Sequence, residues 1–119
     1  AYTGPEIAHE IEIEDIVLPA KRAVPVGLIL NELTTNAIKY GFLRDGADRL
    51  AVSFAALSDD TCVLTVANTG STFPAEVDLE TTETLGLRLV RALVHQLGGT
   101  LTLTTSGETR FTVTIPASE

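Results

Sequence analysis

Hydrophobic and polar positions change period several times along the chain, and each change marks an element. Over residues 7–13 they alternate, with Ile7, His9, Ile11 and Ile13 on one side and Ala8, Glu10 and Glu12 on the other. A period of two predicts a half-buried strand with a charged outer face. His9 is the odd polar member of the apolar side and reads as a residue near the strand's end. A short extended piece over 15–18 runs into Pro19, and a helix is expected after it. Pro25 then falls in the first turns, where its missing N–H costs least if the helix proper starts near Val24. At about 100° per residue, Val26, Ile29, Leu30, Leu33, Ala37 and Tyr40 fall on one side as a core-facing stripe. Gly41 closes this helix.

Residues 42–49 read as a loop with a turn at Asp45-Gly46. Leu50, Val52, Phe54 and Ala56 alternate with smaller residues, 58–60 turn, and 62–67 form a second strand, so the pair reads as a hairpin. The stretch 68–83 is the least regular, with Gly70, Pro74 and a Thr/Glu-rich run, and has the composition of a long loop. Thr84 can cap a helix over 85–97, in which Leu87, Val90, Leu93, Val94 and Leu97 face a core and Arg88, Arg91 and His95 share the opposite stripe. Gly98-Gly99 ends it. Residues 100–105 and 109–115 alternate about a turn at Ser106-Gly107, giving a closing hairpin, and Pro116 is expected to end the ordered chain. The order of strand, helix, hairpin, long loop, helix and hairpin predicts an α/β fold. It is a two-layer sandwich with a mixed, largely antiparallel sheet covered by helices on one face.

At 119 residues the chain supports one core and one domain, without repeats or an internal linker. Its 45% hydrophobic and 20% charged residues are those of an ordinary globular protein. No apolar run reaches the length of a membrane span, no signal-peptide pattern opens the chain, and membrane contact by this domain is not expected. The start at Ala1 reads as a piece of a longer protein. A net charge of −8 argues against a nucleic-acid surface, which requires an excess of Lys and Arg. It leaves room for a nucleotide whose phosphates meet backbone amides and a metal ion. Cys62, the single cysteine, reads as a small core residue, in keeping with a reducing cytoplasm.

The first helix carries a second stripe. Glu32, Asn36 and Lys39 stand at i, i+4 and i+7, a carboxylate, an amide and an ammonium in one row beside the core-facing side. Such a row suits a metal-bound polyphosphate; a solvated helix face has the same spacing, and the spacing does not separate the two.

Residues 31–41, NELTTNAIKYG, resemble the N box of the ATP-binding catalytic domain of bacterial sensor histidine kinases, in the GHKL superfamily. Residues 64–70, LTVANTG, stand at the place of the family's first glycine box. LGLRLV at 85–90 resembles the second, and TRF at 109–111 the last box. Within the family, the stretches LGLRLVRALVHQLGG and TRFTVTIP resemble the HWE-like kinases. The four boxes occur in the family's order over nearly the whole chain.

The resemblance implies the Bergerat fold, ATP and Mg²⁺ as cofactors, and a set of roles. Asn36 would ligate Mg²⁺, with Asn31 a secondary candidate, and Glu32 would act as general base or orienter for the attacking histidine. Lys39 would neutralise phosphate charge and Tyr40 would pack near the nucleotide. The Leu85, Gly86 and Leu87 amides, at a helix N-terminus, would hold phosphate. Gly86 also reads as a simple turn glycine, and Thr84 as a cap or a phosphate ligand. Asn68, Gly70 and Thr109 would lie at the nucleotide, with 71–84 as the lid.

The chain departs from the family at three points. Asn68 stands where the family usually has an aspartate that accepts the adenine amino hydrogen. It keeps an acceptor oxygen without the charge, so weakened ATP binding is expected; Asn68 capping the strand end is the alternative. Thr72 replaces a later glycine of the box, and Glu108 stands where glycine is common. The phosphoacceptor histidine is missing, since neither His9 nor His95 has the helical-hairpin context it needs, and the chain alone is not expected to autophosphorylate.

The resemblance therefore implies a cytoplasmic catalytic domain that passes the ATP γ-phosphoryl to a histidine on its own dimerisation domain. A response regulator would act downstream. The rivals are a degenerate, non-catalytic module of the same fold, docking through Arg88, Arg91 and His95, and a serine kinase of the anti-sigma type.

Overall fold

The computed structural model describes residues 8–37, 49–69, 85–104 and 108–118. Among these, five strands and two helices follow one another as β1 (Ala8–Ile13), α1 (Ala20–Asn36), β2 (Arg49–Ser58), β3 (Thr61–Thr69), α2 (Leu85–Gln96), β4 (Thr100–Thr104) and β5 (Glu108–Pro116). The strands form one sheet in the order β1-β2-β3-β5-β4. β1 pairs parallel with β2, and the three other ladders are antiparallel. Both expected hairpins are present, and the sheet is mixed and mostly antiparallel as the element order implied. The turns at Asp45-Gly46 and Ser106-Gly107, and Gly41, lie outside the described residues.

The core follows from the two periodicities meeting. On the sheet, Val52, Leu64, Val66, Phe111 and Val113 turn to one face; from the helices, Ile29, Leu33, Leu87, Val90 and Val94 fill it, all buried. Cys62 is a buried member of this core, as its composition suggested. The ladder registers align the rows, Val52 beside Val66 beside Phe111, and Phe111 beside Leu103. Burial of these side chains, each worth about 1.5–3 kcal/mol against exposure, holds the two layers together.

Four expectations change. β1 was to be half-buried, yet Ile11 and Ile13 are 59% and 58% exposed although they point to the helix side, opposite Val52 and Phe54. α1 rests chiefly on β3 and α2 on β4, and β1 meets α1 only across an open groove lined by Ile11, Ile13, Leu30 and Thr34. Second, α1 begins at Ala20, not near Val24, which puts Pro25 in the second turn and removes one i→i−4 bond from the helix. Third, Arg91 is not on an outward stripe with Arg88 and His95: it is half-buried, with Nε and Nη2 out of contact with solvent. Four residues after Leu87, it leans toward the same side. Fourth, Pro116 does not end the ordered chain. The Ala117 amide donates to the Asp60 carbonyl at 2.7 Å and Ser118 Oγ bonds Asp60 Oδ1 at 2.7 Å, tying the last residues to the β2–β3 turn.

α2 ends in a Schellman motif. The Gly99 amide reaches the Val94 carbonyl at 3.0 Å and the Gly98 amide that of His95 at 3.0 Å. Gly98 takes φ +74°, a left-handed backbone that a β-carbon disfavours.

Candidate nucleotide site

α1 and α2 pack antiparallel, and the contact has two ends. At one, Arg22 from the first turn of α1 is buried and donates from Nη2 to the Leu97 carbonyl at 2.6 Å and from Nε to the Pro116 carbonyl at 3.0 Å. A guanidinium thus answers the open carbonyl at the end of α2, where the helix dipole favours a cation. Sequence reasoning passed over Arg22. Its signal was available: it stands seven residues before Ile29 and eleven before Leu33, on the same core-facing side.

At the other end, the last two turns of α1 meet the first turn of α2. A β-carbon built on Gly86 would lie 2.5 Å from Glu32 Oε2, 3.6 Å from Glu32 Cδ and 3.9 Å from Asn36 Nδ2. Glu32 is half-buried; Asn36 is 7% exposed. Asn36 Nδ2 is buried and has no hydrogen-bond partner among the described residues. A buried amide group left unpaired costs about 1–3 kcal/mol, so a ligand-free position of this kind is held against stability. Leu85 opens α2 at 83% exposure, while Leu87 is buried in the core. The N-terminus of a helix carries the positive end of its dipole. Three of the expected site residues are therefore brought together, the Glu32 and Asn36 side chains both reaching toward Gly86, with Leu85 and Leu87 flanking it.

Asn68 and Thr109 are brought together on the sheet. They face one another across β3 and β5, both 2% exposed, and Leu50 stands beside Asn68 on β2. They continue the helix-covered face two residues beyond Val66 and Phe111, so an apolar stripe ends in a buried polar pair. Pro116 marks the Arg22 end of β5 and Thr109 the other end, so the pair lies toward the end of the sheet where α1 finishes and α2 begins. Asn31 is exposed and borders the open groove between α1 and the β1–β2 edge, with Ile11, Ile13, Leu50 and Val52. Lys39, Tyr40, Gly70, Thr72, Thr84 and the 71–84 stretch lie outside the described residues.

Among the described residues no three His, Cys, Asp or Glu side chains group as a metal site. No described helix is long and apolar enough to cross a membrane.

This fold has known counterparts. Residues 22–119 match the family described as histidine kinase-, DNA gyrase B-, and HSP90-like ATPase. The chain belongs to that family. It is 28% identical over 114 residues to blue-light-activated histidine kinase 2 of Erythrobacter litoralis, covering 95% of this chain and 33% of that protein. The solved histidine kinase domain of the Erythrobacter litoralis EL346 blue-light activated histidine kinase superposes with a TM-score of 0.87 at 27% identity, over 93% of this chain and 52% of that one. The Acinetobacter baumannii histidine kinase AdeS has the same fold, with a TM-score of 0.72 at 24% identity over 93% of this chain and 54% of that one. The chain thus spans about a third of the curated relative and about half of the solved domain.

Proposed function

We propose that this chain is the ATP-binding catalytic domain of a two-component sensor histidine kinase, working in the cytoplasm on a histidine carried by its own dimerisation domain, with a response regulator downstream. The observation that carries the reading is the convergence of the Glu32 and Asn36 side chains on Gly86, with a buried amide nitrogen that has no partner among the described residues. That amide fits a hard cation: the two ends of an asparagine amide exchange by a half-turn, so the position that holds Nδ2 can present Oδ1. Asn36 would be the protein ligand of Mg²⁺, with phosphate oxygens and water completing its shell. When bound, the ion would neutralise charge on the phosphoryl oxygens.

The chain's own groups do the rest. The amides of Leu85, Gly86 and Leu87 bind and orient phosphate at the positive end of α2. Glu32, one turn before Asn36, accepts or orients the proton of the incoming imidazole. Lys39 adds positive charge at the phosphates, Tyr40, Gly70 and Thr84 border the nucleotide, and 71–84 closes over it as a lid. Asn68, beside Thr109, accepts from the adenine amino group through Oδ1. Its lack of charge makes that bond weaker than an aspartate's. Phosphoryl transfer is chiefly positioning and charge stabilisation, which such a site supplies.

The test is a calorimetric titration of Mg-ATP into this domain, with Asn36→Ala and Asn68→Asp beside it. Micromolar-to-millimolar binding, lost in the first variant and tightened in the second, is expected. Wild-type silence with binding restored by Asn68→Asp would mark a decayed site and a regulatory module; silence in both would remove the nucleotide site.

A further inference from the structure

We infer that Gly86 is a positioning residue for Glu32: the bare backbone at the first turn of α2 is what seats the Glu32 carboxylate. The inference rests on the reading of Glu32 as the group that handles the imidazole proton. A glycine in the first turn of an amphipathic helix invites the explanation that it admits phosphate. In this chain the space a β-carbon would fill is already taken, and by a side chain of α1. Glu32 Oε2 lies 2.5 Å from that position and Cδ 3.6 Å, whereas Asn36 Nδ2, at 3.9 Å, is in ordinary van der Waals range. The tight partner is the proton-handling carboxylate, and the residue read as metal ligand is untouched.

The chemistry of the two partners decides what yields. The backbone of α2 is fixed by Leu87 and Val90, both buried in the core. Glu32 Oε2 is the far end of a side chain with three rotatable torsions and gives way by changing rotamer. A methyl group at position 86 therefore moves the carboxylate, leaving the helix, the Asn36 amide and the first amides of α2 in place. The seat is also electrostatically favourable, since a carboxylate at a helix N-terminus is stabilised by the dipole. Displacing it by an ångström or more removes the alignment on which proton transfer depends.

The prediction is a separation of functions. In a protein carrying this chain together with its acceptor histidine, Gly86→Ala and Glu32→Gln are each expected to slow phosphotransfer at saturating Mg-ATP by about a hundredfold or more, the usual weight of a general base. Mg-ATP affinity should stay within about threefold of wild type, and the double variant should be no slower than either single one. A merely structural glycine would give additive losses and a lowered melting temperature. Loss of Mg-ATP affinity in Gly86→Ala with phosphotransfer per bound nucleotide intact overturns the inference in favour of phosphate contact. So does a slow Glu32→Gln beside an unimpaired Gly86→Ala, which leaves the reading of Glu32 standing. An unimpaired Glu32→Gln removes that reading itself. If Gly86→Ala does not fold, Glu32→Ala placed beside it should restore folding by clearing the clash, and failure to restore it also overturns the inference.

Discussion

The two ends of the α1–α2 contact hold buried polar groups in opposite ways. At the Arg22 end the guanidinium meets two carbonyls, at 2.6 and 3.0 Å, and the carbonyl at the end of α2 is answered. At the Asn36 end a buried amide nitrogen has no partner among the described residues, beside a carboxylate pressed against bare backbone. Both positions lie on the inner side of one helix, and burial alone does not tell them apart. Satisfaction does. A buried polar group whose partners are all protein contributes to the fold, and one whose partner is missing is available to a ligand.

The sharpest way to break this contrast is Arg22→Ala. It should lower unfolding free energy by about 3 kcal/mol, because it strips a charged donor from two carbonyls and leaves a gap in the packed interior. Chemical denaturation reads this, and Mg-ATP affinity measured well below the midpoint should not change. Asn36→Ala should do the reverse. With its buried Nδ2 unpaired among the described residues, its stability should stay within about 1 kcal/mol of wild type, while nucleotide binding collapses. Equal stability losses in the two variants would erase the distinction between the ends.

A smaller effect comes from Cys62, near the Arg22 end. Burial pushes its thiol above the ordinary value of 9.0; Asp60 and Glu14 add to this, and Arg22 opposes it. Because the folded value is raised, the thiol's contribution is fully present below about pH 9. It is lost as pH rises through the folded value, since the unfolded chain then releases the proton more readily. Denaturation midpoints of wild type should fall from pH 8 to pH 10 more steeply than those of Cys62→Ala.

Much of the architecture was legible in the residues because it rests on local rules. Period-two runs gave β2, β3, β4 and β5, and Leu87, Val90 and Val94 gave the buried side of α2. Glu32 and Asn36 as one row, and Gly86 as a separate glycine before the second helix, were legible too, through spacing and resemblance. What escaped depends on distant parts of the chain. The exposure of Ile11 and Ile13 follows from where the helices rest on the sheet, which alternation within β1 does not encode. The burial of Arg91 arises from lateral packing against other elements. Arg22 was overlooked because a charged residue is ordinarily assigned to the surface, and its acceptors stand 75 and 94 residues away. That Gly86 faces a carboxylate is likewise a property of two helices, not of one motif.

Those long separations bear on the order in which the chain assembles. The β2–β3 and β4–β5 hairpins join neighbours in sequence and can form early, whereas the Arg22 bonds close almost the whole chain on itself and carry the largest loop entropy. Contacts of that kind consolidate after the rate-limiting step. The Arg22→Ala substitution should therefore leave the refolding rate nearly unchanged and appear almost entirely as faster unfolding, visible as a shift in one arm of the chevron. On that account Arg22 acts as a latch, governing how long the native state persists more than how quickly it is reached.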